Sequence, residues 1–424
     1  MATPAAASQR FWSVTCSIQG RPTPRRGLWA KEPQYESDSE DIRSDRKARS
    51  ADRGYVVNDY CNTALDYLRL AYDRERALFS FSSILDEHGS VVNDFRMPLS
   101  LRYTINTYLG LAEAERHVTA IDWLGEVADS VSQFLSQHEH TLQSSADQGL
   151  LLVLLSVTDP SHPAAGRALD WIDGATAGDT ATRLNMQDLA WMLWGTSRWS
   201  ENGRAAVLAE RLFDLIRTHF VHAGSGLPRH SVARYRAHTV SFGSIVYFLR
   251  AMYEYGQAFD SDVARELFTT GVQRVLAVQR ADGGWPWMID VRTGVPFDRY
   301  PIFSVHQDSM AMLFLFPADE CGFPNVSERI ERSLRWNFGE NELLANMVHT
   351  DPYPWIYRSI ERSERLPRFR RYLRGLGPPS AVGPTRSRSI RINPECRSYH
   401  LGWVLYAWSD PARAFPLEAT LVRA

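Results

Sequence analysis

Two short stretches of the chain concentrate side chains that move protons. "GVPFDRYPIFSVHQDSMAMLFLF" sets Asp298, Tyr300, Ser304, His306 and Asp308 directly ahead of an apolar run. "ECRSYHLGWVLYAW" sets Glu395, Arg397, Tyr399, His400 and Trp403 within one and a half helical turns. Histidine exchanges protons near neutral pH without a large shift, and a neighbouring carboxylate orients it or acts as a base. Polar groups at a helix N-terminus also meet the positive end of its dipole, which favours anions. His306, Asp308, His400 and Tyr300 are therefore the candidate catalytic groups. Arg397 is the cation that would steady developing negative charge. The same pattern also fits a bland reading, a helix capped by Ser304 with His306 in its first turn. Cys396 and His400, four residues apart, offer two ligands of the four that zinc requires. The others are missing, so neither a metal nor a cofactor is expected.

Two arginine-rich segments add binding candidates. "GLPRHSVARYRAHTVSFGS" carries Arg229 and His230, and "DFRMPLSLRY" carries Arg102 and Tyr103. Arginine forks beside tyrosines suit carboxylates or phosphates, and equally suit salt bridges between helix ends. Composition excludes several chemistries. Lys and Arg total 47, yet only Lys31 and Lys47 are lysines, both in the polar N-terminal lead. Schiff-base and P-loop mechanisms need a lysine on a folded scaffold. A net charge of −2 and a sequence pI near 6.6 give no reason to expect nucleic acid or an anionic membrane as partner. The four cysteines form no C-x-x-C pair, and no apolar run is long enough for a signal peptide or a membrane span. A cytoplasmic protein with no integral membrane segment is expected, with its oligomeric state open.

The elements that must position these residues are helical. Residues 1–54 mix charges densely without apolar periodicity and read as a disordered or extended lead. From residue 55 onward, apolar spacing of three and four predicts about twelve helices, with "LFSFSSIL" and "SVVNDF" forming one small β-hairpin. Helix pairs without a strict repeat of fixed length point to a closed double ring of helical hairpins, an all-α (α/α)6 toroid, over residues 55–424. Residues 358–394, with ten arginines, read as an insertion within it.

The helix "ARELFTTGVQRVLAVQRADGGW" ends in Gln279-x-x-Asp282-Gly283-Gly284-Trp285. This resembles the QW repeat of terpenoid cyclase and prenyltransferase α/α toroids, which implies a glutamine that caps the next helix and a tryptophan packed between helices. The acidic motifs those enzymes use for protonation or magnesium binding are absent. "DGGWPW" is also similar to a turn of α/α-toroid lyases, epimerases and hydrolases that act on acidic polysaccharides. That resemblance implies a tryptophan-lined central cleft using Arg, His, Tyr and Asp. Trp285, Trp287, Asp282, Arg397, Trp403, Tyr399, Arg229, His230 and Arg102 are the substrate-binding candidates it suggests. Scattered Arg, His, Tyr and Trp rank acid/base chemistry on an oligo- or polysaccharide first. A non-standard terpenoid cyclase acting on an isoprenoid is second, and a non-catalytic helical scaffold third.

Overall fold

Two kinds of helix alternate along the chain, and their burial tells them apart. The helix Ser145–Thr158 is buried continuously from Ala146 to Leu155. The next, Ala164–Ala175, buries only Ala164, Ala165, Ala168, Leu169 and Ile172. An all-round apolar helix must be surrounded by protein, whereas a single apolar stripe belongs to a helix with one face in water. The computed structural model describes residues 57–117, 121–178, 183–233, 236–362 and 390–413, all within one unit, Tyr55–Ala419.

Among the described residues there are twelve α-helices. The outer ones are α1 (Val57–Ala71), α3 (Val127–His138), α5 (Ala164–Ala175), α7 (Gly203–Leu215), α9 (Asp262–Leu276) and α11 (Val326–Asn337). The inner ones are α2 (Leu99–His117), α4 (Ser145–Thr158), α6 (Met186–Ser197), α8 (Phe242–Ala258), α10 (Met312–Glu320) and α12 (Ser398–Trp408). A π-helical turn, His306–Met310, leads into α10. Each of α2, α4, α6 and α8 packs on the next inner helix, α8 packs on α10, the π turn packs on α12, and α12 returns to α2. The inner ring is closed; α3, α5, α7, α9 and α11 each pack on an inner neighbour in sequence, and α1 packs on α12. The protein is an (α/α)6 toroid. Alternate helices of such a ring run parallel, so all six inner N-termini lie at one end.

Glycine sets how closely the ring can draw together. A Cβ on Gly110 of α2 would fall 1.9 Å from the Gly402 carbonyl oxygen of α12, and one on Gly402 would fall 2.6 Å from Thr107 Cα. The α4–α6 contact repeats the device: a Cβ on Gly149 would lie 2.5 Å from the Met192 nitrogen, and one on Gly195 would lie 2.3 Å from the Gly149 oxygen. Backbones touch at these points, and no side chain fits between them.

The expected hairpin is present as β3 (Ser82–Leu85) and β4 (Val91–Asp94). The single-hairpin expectation nevertheless undercounts the strands. Short antiparallel pairings also join β1 (Tyr72–Asp73) to β2 (Leu78–Phe79). A three-stranded sheet forms from β5 (Thr239–Ser241), β6 (Met288–Asp290) and β7 (Pro296–Asp298). Further on, β9 (Val348–His349) pairs with β10 (Trp355–Ile356). A last sheet joins β8 (Ile302–Phe303), β11 (Ser359–Arg362) and β12 (Ile390–Asn393). Strands this short carry no alternation to read, because loop packing rather than a hydrophobic period produces them. The last sheet ties together the two ends of the arginine-rich stretch. Residues 363–389 between those ends, and the lead 1–54, lie outside the described residues. No helix among the described residues is long and apolar enough to cross a membrane.

The close approach at the ring seam makes a signed prediction. Replacing a helical glycine by alanine ordinarily stabilises by about 0.5–1 kcal/mol, and Gly166→Ala on α5, where nothing lies within 4 Å, should do so. Gly402→Ala should instead destabilise by roughly 1–3 kcal/mol through overpacking. Urea denaturation of the two variants checks this, and equal signs would contradict the packed seam.

Candidate functional site

The carboxylate of Asp308 is fully buried and collects donors from three helices and its own turn. Its Oδ2 accepts hydrogen bonds from the Tyr60 hydroxyl of α1 and from Asn337 Nδ2 of α11 at 2.6 Å. Oδ1 accepts from Ser309 Oγ at 2.7 Å. His400 Nε2 of α12 lies 2.9 and 2.7 Å from the two oxygens. A carboxylate only accepts, so His400 must carry its proton on Nε2, leaving Nδ1 as the other ring nitrogen. Trp408 Nε1 adds a bond of 2.6 Å to the Asp308 carbonyl oxygen. With no exposed surface, Asp308 is placed to orient His400 rather than to touch a substrate.

His306 occupies the same π turn and is buried, with 3% of its surface exposed against 0% for Asp308. Burial, reinforced by the nearby charge of His400, pushes its pKa down to about 3, so the imidazole is neutral at ordinary pH. Its Nδ1 has no hydrogen-bond partner in the structure. The half-buried Trp287 ring stacks on it at 5.8 Å and 13°, and Phe242 and Phe303 flank it at 4.9 and 5.2 Å. Isolated π turns recur at functional sites because the extra residue re-aims side chains. Here the turn brings His306 and Asp308 to one end of the ring together with His400.

The turn from the opening motif explains how Trp287 reaches this position. Gln279 Nε2 donates to the Gly283 oxygen and the Arg329 oxygen at 3.1 and 3.0 Å. Gly283 has φ +87° and presses so closely on α11 that a Cβ would lie 1.9 Å from the Arg332 oxygen. Trp285 is fully buried, donates to Ser333 Oγ at 2.8 Å and stacks on Phe242 at 5.1 Å. It packs helices and presents no surface to a substrate. Trp403 is likewise fully buried, stacked on Trp194 at 6.2 Å. For these two tryptophans the substrate-binding expectation gives way to packing.

The remaining candidates fall into separate groups. Arg397 lies with its guanidinium 3.8 Å from the Phe81 ring centroid and 2.5 Å from Glu395 Oε2, which Arg358 also holds at 2.8 Å. Burial raises the Glu395 pKa, but the two arginines more than reverse this and leave it lowered. Tyr399 is half-buried against Tyr103 at 4.4 Å. Tyr300 donates to Glu342 at 2.8 Å and is pushed up to about 12, by burial first and then by the Glu342 charge. This removes it from proton transfer near neutrality. Asp282 is held by Arg280 at 2.5 Å in the same network. His230 takes a 3.0 Å contact from Arg236 Nη1 and is pushed down to about 4 by burial and by that arginine. Its backbone oxygen caps the start of α6 through Met186 N, at 2.9 Å. The half-buried Arg229 precedes it in the loop, beside the same end of the ring.

Arg102 leads to a residue the sequence reading missed. Its Nε reaches Asp147 of α4 at 2.5 Å, and its guanidinium lies 5.3 Å from the Trp191 ring of α6. One turn before Trp191 is Asp188, half-buried in a capping box with Asn185. Burial, with the like charge of Asp147 added, raises the Asp188 pKa to about 6 against the pull of Arg102. A usable signal was present. Asp147, Asp188, Ser244 and His400 each stand third in an inner helix. Among the described residues no group of three His, Cys, Asp or Glu side chains is arranged to hold a metal ion.

Removing the Asp308 carboxylate leaves several buried donors unpaired, so Asp308→Ala should cost about 3–5 kcal/mol. Trp285→Ala should cost about 3–5 kcal/mol as a core aromatic, and Trp287→Ala much less. Denaturant titrations of the three variants test the assignment, and a Trp287 loss matching that of Trp285 would show both rings to be core.

No family model matches the chain, and no curated protein matches it in sequence. Solved structures do match its fold. A cellobiose 2-epimerase from Bacillus thermoamylovorans is similar over 83% of this chain and 98% of its own, at 11% identity and TM-score 0.56. A sugar epimerase from a ruminal bacterium is similar over 86% and 98%, at 9% identity and TM-score 0.57. A possible member of the GH105 family from Salmonella enterica is similar over 83% and 92%, at 9% identity and TM-score 0.54. The chain shares the α/α-toroid fold with all three.

Proposed function

We propose that this protein is an enzyme doing acid/base chemistry on a carbohydrate, as an epimerase, lyase or hydrolase of an oligo- or polysaccharide. One observation carries the reading. At the end of the ring where the inner helices begin, two titratable groups are tuned apart, His306 down to about 3 and Asp188 up to about 6. Groups whose environments separate their pKa values are the usual signature of an acid and a base in one site. One inner helix, α8, stands between them and touches both. Trp191 of α6 packs on Tyr247 of α8 at 4.9 Å, and the Tyr247 hydroxyl meets Met310 Sδ, one turn after His306, at 3.8 Å.

In this reading the neutral His306 accepts a proton and Asp188 donates one. His400, held by Asp308, steadies the bound ring, and Arg102 and Arg397 supply positive charge beside it. Trp287 and Tyr399 keep accessible aromatic surface of the kind sugar rings pack against. Structures similar in fold include proteins named as two epimerases and a possible GH105 member, together with an α-1,6-mannanase from Salegentibacter in complex with α-1,6-mannotetrose, at 10% identity and TM-score 0.52. Those names support the carbohydrate substrate class.

Three readouts on a panel of uronate-containing and neutral oligosaccharides separate the reactions. Deuterium uptake from heavy water without chain cleavage marks an epimerase, a new conjugated double bond marks a lyase, and new reducing ends without that double bond mark a hydrolase. As an acid Asp188 must be protonated, so kcat/KM should fall as pH rises through about 6. Asp188→Asn, which keeps the capping oxygen but no proton, and His306→Ala should each lower kcat by about 10²-fold or more. Full activity in either variant would sink the assignment of that residue.

A further inference from the structure

The opposite end of the ring holds a second cavity. It has a volume of about 260 Å³ and lies among the C-terminal ends of α6, α8, α10 and α12. This is below the roughly 300–1,000 Å³ of sites for drug-sized ligands, and fits a single ring. Its charged lining is three arginines, Arg198, Arg250 and Arg413, and two glutamates, Glu254 and Glu320. Both glutamates are already engaged: Arg250 donates to Glu254, and the Tyr253 hydroxyl donates to Glu320 at 2.6 Å.

The arginines are not matched to the same degree. Arg198 approaches Glu254 only at 3.6 Å with its side chain 38% exposed. Arg413 reaches the Tyr406 oxygen at 3.4 Å and Asp410 at 3.7 Å. Arg250 Nε is buried with no partner. Arg198 and Arg413 therefore keep donors that the oxygens of an anion can accept. Helix C-termini alone would repel an anion, and the three arginines outnumber the two glutamates of the lining. Part of the wall is apolar, formed by Met312, Leu313 and Phe316, with Arg413 lying 5.4 Å from the Phe316 ring centroid.

We infer that this cavity is a binding site for a small anionic sugar, a monosaccharide bearing a carboxylate or phosphate, distinct from the His306–Asp188 end. Arg198 and Arg413 grip the acid group, and Phe316 and Tyr253 flank the ring. The inference uses none of the residues assigned to the reaction.

Calorimetry on the full chain with glucuronate, glucose 6-phosphate, glucose and inorganic phosphate tests it. At least one of the two anionic sugars should bind saturably, at least ten-fold tighter than either glucose or inorganic phosphate, and the one that binds identifies the acid group. The Arg198→Gln/Arg413→Gln double variant should weaken that binding ten-fold or more with the melting temperature of the free protein unchanged, whereas Asp188→Asn should leave it intact. No saturable binding would overturn the inference. So would phosphate binding as tightly as the sugars, or binding that follows Asp188 rather than the arginines. If the double variant melts early, the single Arg198→Gln variant, altering the more exposed side chain, must show the loss by itself.

Discussion

A toroid exists only if its last inner helix can reach its first, and here that reach is limited by backbone contact. Gly110 and Gly402 bring α2 and α12 so close that neither position has room for a Cβ. This constraint propagates. With α12 drawn in, His400 and Trp408 come within hydrogen-bond distance of Asp308, and Tyr60 of α1 reaches the same carboxylate from the outer ring. A larger residue at the seam would push α12 outward and break these bonds together. Packing of the least reactive residue type thus decides where the reactive ones lie.

Asp308 makes the seam polar as well as apolar. A buried carboxylate is costly unless each neighbour donates to it, and here Tyr60, Asn337, Ser309 and His400 all do. Such a cluster has one satisfactory arrangement, which fixes the register of α1, α11 and α12 relative to the π turn. His306, two residues before Asp308, inherits that rigidity. Its neutral state follows from burial among Phe242, Trp287 and Phe303 rather than from any residue adjacent in sequence.

The two ends of the ring differ in kind. Where the inner helices begin, His400 is bonded to Asp308 and His306 shares the turn that carries that carboxylate. Where those helices end, arginines cover the negative ends of the dipoles around Glu254 and Tyr406. Arg250 is the clearest example of that second end, set 5.1 Å over Trp194 and bonded to Glu254. On the proposed reading, one architecture places proton transfer at one face and anion binding at the other.

The alternation of all-round apolar and one-faced helices is written in the residues themselves, so the double ring, the count of helices and the β3–β4 hairpin could be read without coordinates. The grouping of His306, Asp308 and His400 at helix starts was legible for the same reason, since position along a helix is a local property. Tertiary packing decided the rest. Whether Trp285 or Trp287 keeps open surface depends on Gly283 pressing against α11, fifty residues further on. The separation of Tyr300 and Asp282 from His306 depends on Arg280 and Glu342 holding both. Asp188 completes the capping box that Asn185 opens. Its raised pKa comes from burial first, with the Asp147 charge added across a helix–helix contact, and electrostatics of that kind depends on distances that no spacing along the chain encodes.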